Sequence, residues 1–510
     1  MAASSSKTEN LSKSLWASVD ERLANRNFED GKDFAAAEKS KRQREYRWIV
    51  DAILPLMLSI IAGIGVLLPI ELSTQARISL FFFAVAAILW AMTELNAAYV
   101  ALTVTILLIF TGGRPQEAFF EALASDVIWL MIGAFILGEA VRTTDLAVRL
   151  TNLVVKRARN VSQIFWLMSV VAVVLSFFIP STSGRAAVTY PIFRSISEKI
   201  GEDKVTKALA ILLPTIILVS TICSLVGAGS HLIANDLLSK ISGKSISFLQ
   251  WIIYGLPFGV MASAASCFVI LRMFLGKDKR KIKLSLKESI AEKKFSKAEK
   301  KTLIIILAMV IFWVTEHWHG FEIATVTIGG AVLLTMPRFG IMDWKTGLKS
   351  VSWNLIIFVG AALVLGNALI ETGAAEWIIK NLFSLTGLNQ TTGNNGILML
   401  LTVAFISLTS HIYMTSHSAR AAALVPPLLY LATSLEISPV AMLFISTVGM
   451  DYCLTFPVSS KAILLYQEAG DGETFDPADL LKLSSVLIIV HLFLMIAFYY
   501  FYWKWVGLSF

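Results

Sequence analysis

Long apolar segments, separated by short polar ones, follow residue 46 almost to the end of the chain. Each approaches the roughly 20 residues that a helix needs to cross a bilayer. The segments lie at about 48–70, 78–96, 97–112, 126–141, 206–240, 247–275, 302–317, 322–337, 353–370, 437–466 and 481–507. Two further apolar stretches, 161–198 and 396–432, each have a polar centre, which favours a re-entrant hairpin. The pattern predicts an all-α polytopic membrane protein with about 11 transmembrane helices and two re-entrant hairpins.

The composition also indicates a membrane environment. Of the 510 residues, 56% are hydrophobic and 16% are charged, whereas a soluble domain has about 25% charged residues. This leaves too little polar surface to cover a water-soluble globule, so we exclude that class. Cys223, Cys267 and Cys453 have no metal-ligand spacing, and we expect them to be packing residues.

The first 46 residues are polar and charged, and they lack the pattern of a cleaved signal peptide. We expect 1–46 to be a cytoplasmic extension. Within it, the stretch 15–28 is either an amphipathic helix on the bilayer surface or part of a disordered tail. The first transmembrane helix is then expected within 47–75.

The net charge of +8 is concentrated in two basic clusters, at 39–47 and 277–301. By the positive-inside rule both clusters lie in the cytoplasm, and neither requires a nucleic-acid partner. The six predicted crossings between them return the chain to the same side, as the rule demands. The remaining crossings put the C-terminus on the periplasmic or extracellular face of a bacterial inner membrane.

The sequence contains an internal repeat. Residues 181–187, Ser-Thr-Ser-Gly-Arg-Ala-Ala, match residues 416–422, Ser-His-Ser-Ala-Arg-Ala-Ala, at an offset of 235 residues. We therefore predict repeat 1 at 76–275, a basic cytoplasmic loop at 276–301 and repeat 2 at 302–510. Because each repeat has an odd number of crossings, the second copy is expected in the inverted orientation.

The polar centres of the two hairpins point to a transport site. A helix break frees backbone groups that cannot face lipid, so it persists where it lines a cavity or binds a ligand. Hydroxyl groups and peptide dipoles at such a helix end suit a carboxylate. Arg185 and Arg420 each cost at least about 2.5 kcal/mol near a bilayer centre. They mark either a substrate path or a buried ion pair, for which Glu139 and Asp451 are candidate partners.

These residues resemble the divalent-anion:sodium symporter family, particularly its bacterial dicarboxylate and tricarboxylate exchangers, over about 48–507. In that family each half has a hairpin tip with a Ser-Asn-Thr motif, and the substrate carboxylates lie between the two tips. The matching positions here are Ser181-Thr182-Ser183 and Ser416-His417-Ser418. The helix breaks that follow in the family match 227–231 and 457–461. The resemblance also implies a homodimer and an elevator-like motion.

The sequence departs from the family at its sodium sites. Both tips lack the asparagine, and His231 and Lys461 stand near the positions where asparagines of the breaks are expected. Cationic side chains repel sodium. We therefore hypothesise that these two residues, together with Arg185, His417 and Arg420, partly replace sodium as the positive charge facing the anion. A fixed cation cannot leave with the substrate, so the return of an empty carrier is costly and exchange is expected.

The sequence thus predicts a secondary transporter of di- or tricarboxylates, of the C4-dicarboxylate, 2-oxoglutarate or citrate type, that works by sodium-independent exchange. The predicted substrate-binding residues are Ser181, Thr182, Ser183, Arg185, Ser230, His231, Ser416, His417, Ser418, Arg420, Ser460 and Lys461. No cofactor or metal is expected. An enzyme is not expected either, because the chain has no nucleophile elbow and no zinc-binding motif.

Several alternatives stay open. His231 and Lys461 are also explained as side chains that snorkel to the membrane interface. Titration of Glu139, Asp145 or Asp451 would make the protein a proton-coupled symporter. Unconventional ligands would allow sodium coupling, and sulfate presents similar dianion chemistry.

Overall fold

The computed structural model describes residues 53–66, 71–93, 95–179, 181–283, 295–378, 381, 396–468 and 474–510. Within these ranges the chain is helical or irregular, and its one strand-like contact is an isolated bridge between Asn160 and Lys283. The all-helical fold predicted from the sequence is therefore confirmed. The predicted extension 1–46, with its segment 15–28, lies outside the described residues.

Several helices of the first half begin where a side chain satisfies a free amide group of the first turn. Ser73 accepts such a hydrogen bond at one start, and Asn96 does so at the next. The helices are α1 (Ile53–Val66), α2 (Thr74–Met92), α3 (Ala97–Phe110), α4 (Glu117–Leu123), α5 (Asp126–Thr143), α6 (Leu146–Val155), α7 (Val161–Leu175), α8 (Thr182–Ile200), α9 (Asp203–Val219), α10 (Gly229–Ser242) and α11 (Phe248–Phe274).

The second half repeats this order of long and broken helices. Its helices are α12 (Lys297–Val314), α13 (Ile323–Thr335), α14 (Trp344–Ser350), α15 (Trp353–Glu371), α16 (Gly396–Tyr413), α17 (His417–Ser434), α18 (Pro439–Met450), α19 (Lys461–Gln467) and α20 (Pro477–Phe501). Asp343 caps α14, and hydrogen bonds from the amide and hydroxyl of Thr346 lower the pKa of the Asp343 carboxyl.

Among the described residues, six helical segments are long and apolar enough to cross a membrane: Thr74–Met92, Glu117–Thr143, Asp203–Cys223, Phe248–Phe274, Trp353–Glu371 and Pro477–Phe501. Shorter apolar helices accompany them, namely α1, α3, α7, α13, α16 and α18. This set is that of a polytopic membrane protein. The number of crossings, about 11, stays a prediction.

Two of the predicted spans are broken in the middle. Break 1 comprises residues 220–228 between α9 and α10, and break 2 comprises residues 451–460 between α18 and α19. Both consist of short 3-10 turns and extended residues. Break 1 requires glycine at position 227, because a Cβ on Gly227 would lie 2.3 Å from the carbonyl oxygen of Thr221.

Each predicted hairpin consists of two helices joined at a polar turn. Tip 1 (181–183) begins α8, and tip 2 (416–418) begins α17. The packing crosses between the repeats: α10, after break 1, packs on α17, and α19, after break 2, packs on α8. Each hairpin therefore contacts the broken helix of the other repeat.

The broken helices occupy the interior of the protein. Residues 208–218 of α9 and 441–445 of α18 are buried. By contrast, Ile489 and Phe493 on α20 are 69% and 68% exposed, which suits contact with lipid rather than water. The backbone groups freed at the two breaks thus lie within protein, as a membrane environment requires.

The helices pack in two groups. Group A contains α2 to α5 and α12 to α15, and group B contains α7 to α11 and α16 to α20. Helices α10 and α17 of group B lie against α15 of group A. The hydroxyl of Ser125 at the start of α5 donates a hydrogen bond to the carboxylate of Asp236 on α10 at 3.1 Å, so a polar contact also joins the groups.

Candidate functional site

Each hairpin tip is the capped start of a helix. The Oγ of Ser181 accepts a hydrogen bond from the amide of Gly184 at 3.2 Å, and the Oγ of Ser416 accepts one from the amide of Ala419 at 3.3 Å. The other amides of each first turn point toward the tip, and with the helix dipole they favour an anion there. The remaining predicted tip residues, Thr182, Ser183, His417 and Ser418, are half-buried.

Arg185 is wholly buried in the first turn of α8 and reaches break 1. Its Nη2 donates to the hydroxyl of Thr221 at 3.2 Å and to the carbonyl of Gly227 at 3.1 Å. Its Nη1 donates to the hydroxyl of Ser220 at 3.5 Å. Its Nε has no partner among the residues that the structure describes. Three oxygens of break 1 therefore hold the guanidinium, and two of its five N–H groups, the one on Nε and one on Nη1, have no partner in the described ranges.

Arg420 takes the matching place in repeat 2 and is paired less completely. It is also wholly buried, and its Nη1 donates to the carbonyl of Tyr452 in break 2 at 3.3 Å. Within the described part of the chain, its Nε and Nη2 have no partner. A buried polar group left without a partner costs about 1–3 kcal/mol, and a charged group costs more. These N–H groups therefore favour the entry of an acceptor.

A buried histidine–aspartate pair links the two repeats. The Nε2 of His231 lies 2.7 Å from the Oδ2 of Asp451, and the Nδ1 of His231 donates to the carbonyl of Ser224 at 3.0 Å. Because a carbonyl only accepts, Nδ1 carries one proton, and a second proton is shared in the contact with Asp451. The pair consequently has no net charge. Both ring nitrogens of His231, a predicted substrate-binding residue, thus have protein partners.

Glu139, the other candidate partner of the arginines, lies elsewhere. Its carboxylate accepts a hydrogen bond from Arg142 on the same helix at 2.8 Å. Neither tip arginine makes an ion pair with a carboxylate in the described ranges.

Break 1 meets tip 2 at close range. A Cβ built on Gly229, at the start of α10, would lie 3.9 Å from the Oγ of Ser418. The next residue, Ser230, is 3% exposed, and its Oγ has no partner in the described structure. Both ring nitrogens of His417 are likewise buried without a described partner. Unpaired polar atoms from the two repeats therefore lie in the first turns of two helices, α10 and α17, that pack against each other.

The cationic groups of the two repeats also converge there. The imidazole of His417 lies within electrostatic range of Arg420 and His231, and also of Arg185 from the other hairpin. Arg185 is in turn within range of Asp451. The described structure thus brings Arg185, His417 and Arg420 together around the neutral pair of His231 with Asp451.

Ser460 and Lys461 stand at the start of α19. The Oγ of Ser460 is a helix cap that accepts from the amide of Ala462 at 3.2 Å. Lys461 is exposed, and it has no ion pair within the described ranges. It differs in this exposure from the buried Arg185, His231 and Arg420 and from the half-buried His417.

The structure contains two broken helices and two capped hairpins, and buried cationic side chains lie where they meet. This is the arrangement expected at the binding site of a transporter with duplicated halves. The sequence profile of the family described as "Sodium:sulfate symporter transmembrane region" matches residues 49–509. The chain belongs to this family. The resemblance inferred from the tips and breaks is confirmed, and the protein is a membrane transporter rather than an enzyme.

Two related proteins align with most of this transporter. A membrane protein of Cupriavidus necator is 29% identical over 350 residues, which are 66% of this chain and 66% of that protein. The citrate/succinate antiporter of Escherichia coli is 21% identical over 403 residues, which are 72% of this chain and 80% of the antiporter.

A solved structure supports the fold of the transporter. The YdaH transporter of Alcanivorax borkumensis aligns with a TM-score of 0.53 at 14% identity, over 84% of this chain and 99% of that one. At this identity the likeness concerns the fold alone.

Sequence reasoning missed several residues around the site of this transporter. Thr221 and Tyr452 accept hydrogen bonds from the arginines, and the ring of Trp251 packs 4.9 Å from that of His231. The hydroxyl of Tyr466 on α19 lies 2.7 Å from the Oγ1 of Thr189 and joins broken helix to hairpin. No local pattern marks these residues, because each contributes through a tertiary contact.

One signal for the breaks was present in the sequence. Cys223 and Cys453 are 230 residues apart, the same offset that separates Ser230 from Ser460. Both cysteines are buried at their break, and the Sγ of Cys453 donates to the carbonyl of Ser459 at 3.0 Å. Alignment of the two breaks on these cysteines would have placed Thr221 opposite Asp451.

Proposed function

We propose that this transporter carries a di- or tricarboxylate across the membrane by sodium-independent exchange. The observation that carries the proposal is a pair of buried arginines, one from each repeat, that both lie within electrostatic range of His417 and have unpaired N–H groups in the first turns of two helices. A carboxylate accepts such charge-assisted hydrogen bonds strongly. The name of the Escherichia coli relative, a citrate/succinate antiporter, supports this class of substrate.

In this proposal the substrate lies between tips 1 and 2. Arg185 and Arg420 hold its carboxylates, and His417 and the hydroxyl of Ser230 complete the hydrogen bonds. The tip hydroxyls and Ser460 shape the ends of the site as helix caps. His231 acts through Asp451 and holds the two breaks together, and the exposed Lys461 attracts the anion before it enters.

Sodium independence follows from the surroundings of Arg185. Its guanidinium donates to two hydroxyl groups and one carbonyl oxygen, which are neutral oxygens of the kind that a hard cation prefers. The guanidinium occupies these oxygens permanently, so its charge replaces that of a bound sodium ion. We infer that the anion is neutralised by the protein and needs no accompanying cation.

Exchange follows from the same fixed charges. An empty site would carry two buried guanidinium groups through a region of low dielectric, at a cost of several kcal/mol per ion. A bound dianion cancels both charges and lowers this cost. The site therefore crosses the membrane readily only when it is loaded, and it returns with another anion.

The wider architecture belongs to the same proposal. The two repeats have inverted topology, both hairpins are re-entrant, and the chain lies in a bacterial inner membrane with its N-terminus in the cytoplasm and its C-terminus outside. Group B moves like an elevator against group A, which also forms a homodimer. The mainly helix-against-helix contact between the groups supports such sliding.

A coupled symporter of a dicarboxylate or sulfate is the second candidate. The Oδ1 of Asp451 is buried without a partner in the described structure, and a buried carboxylate oxygen suits a sodium ion or a proton. The description of the family, which names sodium and sulfate, agrees with this candidate.

Counterflow into proteoliposomes tests the proposal. Vesicles preloaded with succinate, malate, 2-oxoglutarate, citrate, sulfate or buffer alone receive labelled substrate outside, with and without a sodium gradient. We expect uptake that requires an internal carboxylate and is unaffected by sodium. Uptake into empty vesicles driven by a sodium or proton gradient would establish the symporter instead.

A further inference from the structure

A buried chain of hydrogen bonds leads away from Arg420. The carbonyl of Tyr452 accepts from Arg420, and the hydroxyl of Tyr452 lies 3.1 Å from both the Oγ and the carbonyl oxygen of Ser484. The Oγ of Ser484 is 2.7 Å from the Oγ1 of Thr455, which is 2.6 Å from the Nε2 of His411. These four side chains belong to residues that are at most 5% exposed. This chain of hydrogen bonds joins α16, break 2 and α20.

This chain of hydrogen bonds can accommodate His411 in either protonation state without the loss of a hydrogen bond. The Nδ1 of His411 donates to the carbonyl of Leu408 at 2.7 Å in both states. With a neutral ring, Thr455 donates to Nε2, Ser484 donates to Thr455, and Tyr452 donates to Ser484. With a protonated ring, Nε2 donates to Thr455 and every hydroxyl reverses, so that Tyr452 finally donates to the carbonyl of Ser484. The reversal of the hydroxyl groups gives the protonated imidazole the hydrogen-bond acceptor that a buried charge requires.

Burial opposes the proton on His411 most strongly, and a fixed positive charge opposes it as well. The titratable and charged groups around it, from its own helix, tip 2, break 2 and α20, are Tyr413, His417, Arg420, Asp451, Tyr452 and His491. Arg420 is the permanent cation among them, and Asp451 is already paired with His231. An anion bound at Arg420 offsets the part of this opposition that comes from the Arg420 charge, so the protonation of His411 depends on what occupies the site.

The fixed charges of the site determine how much of the negative charge of each substrate is left to be neutralised. Arg185 and Arg420 contribute two positive charges, and the pair of His231 with Asp451 contributes none. A dianion is therefore neutralised completely, whereas a trianion leaves one negative charge uncompensated inside the protein. His411 is the nearby group whose hydrogen bonds persist when it gains a proton.

We propose that His411 is a proton-binding site that is filled when a tricarboxylate binds and stays empty when a dicarboxylate binds. This inference rests on the proposed function. One proton moves from the solution on the open side to the Nε2 of His411, and it returns to solution when the acid leaves. Both loaded forms are then electrically neutral, so a single site can exchange a trianion and a proton for a dianion.

Calorimetry of the purified full-length protein in lipid nanodiscs tests the proposal. Citrate or succinate is titrated at about pH 8, well above the usual range for carboxyl groups, in two buffers with different ionisation enthalpies. Proton uptake makes the measured binding enthalpy depend on the buffer. We expect up to one proton per bound citrate and none per bound succinate.

Substitution then assigns the proton. In His411→Gln we expect citrate to bind without proton uptake and about tenfold more weakly, a typical coupling, while succinate binding is unchanged. Thr455→Val interrupts the hydrogen-bond chain and should reduce the proton uptake. Thr455→Ser keeps the hydroxyl and should preserve the proton uptake. His491→Gln is the matched control, because His491 is a buried histidine that is not part of the hydrogen-bond chain. Size-exclusion profiles confirm that each variant is folded.

The outcomes separate this inference from the proposed function. Wild-type protein that binds neither acid would overturn the proposed function, and with it this inference. Binding of citrate without proton uptake, or uptake that persists in His411→Gln and disappears in His417→Gln, would overturn the inference alone.

Discussion

The two tip arginines occupy equivalent positions in the repeats but have different surroundings. Arg185 donates to three oxygens of break 1, and Arg420 donates to one carbonyl of break 2. Arg185 is therefore also a structural group of break 1, and Arg420 keeps more of its hydrogen-bonding capacity for a ligand. In the proposed function, Arg185 thus serves both to hold break 1 and to bind the anion, and Arg420 serves mainly to bind the anion.

Alanine at each arginine should separate these two roles. We expect Arg185→Ala and Arg420→Ala each to lower exchange by more than about 30-fold, because each removes a charge that pairs with the substrate. Arg185→Ala should destabilise the protein by roughly 1–3 kcal/mol more than Arg420→Ala, because it leaves more buried acceptors unpaired. Counterflow and thermal unfolding in detergent measure the two effects.

Arg142→Ala is the control for both variants. Its side chain is 65% exposed and pairs with Glu139 on the same helix, so we expect transport and stability close to wild type. Near-normal counterflow by Arg185→Ala and Arg420→Ala would remove the arginines from the site.

At the scale of elements, the breaks depend on tight backbone contacts. Gly227 is the clearest case, since its carbonyl accepts from Arg185 and its hydrogen faces the carbonyl of Thr221. The shape of break 1 and the position of the guanidinium are therefore fixed by one residue without a side chain.

Gly227→Ala should disrupt both features. The added Cβ would lie 2.3 Å from a backbone oxygen that cannot swing aside, so we expect a loss of about 1–3 kcal/mol in stability and loss of counterflow. Gly276→Ala is the matched control, because a Cβ there meets nothing within 4 Å, and its effect should stay within about 0.5 kcal/mol. Wild-type transport by Gly227→Ala would contradict the role assigned to break 1.

Sequence reasoning located the tips more securely than the breaks. The tips share a motif that ends in arginine, and two copies at one offset are hard to obtain by chance. The breaks share mainly cysteine and serine positions, and their contacts depend on tertiary packing. The pairing of His231 with Asp451 spans 220 residues and results from the approach of two broken helices. A single sequence has no local pattern that would reveal such a partner.

At the scale of the whole molecule, the contact between Ser125 and Asp236 joins the group that we propose to be stationary with the group that we propose to move. The bond is 3.1 Å long, and Lys240 also lies 2.9 Å from the carboxylate of Asp236. If group B slides past group A, this contact must break in every transport cycle.

A cross-link at this contact should therefore stop transport. We expect the double variant Ser125→Cys with Asp236→Cys to lose counterflow when a short bifunctional thiol reagent is added, and to regain it after reduction. The three native cysteines are buried, which protects them from the reagent. Each single-cysteine variant serves as a control and should keep its counterflow after treatment. Full activity of the cross-linked protein would rule out sliding between the groups at this point.

The crossed packing of hairpins and broken helices bears on how the protein is made. The hydroxyl of Thr189 in the first hairpin finds its partner, Tyr466, 277 residues later in the chain. At a synthesis rate of about 5–20 residues per second, that partner emerges roughly 15–55 s afterwards. Throughout this interval the newly inserted first half has a buried arginine but no completed pocket. The proposed binding site is consequently completed only late in synthesis, after break 2 and Tyr466 have emerged.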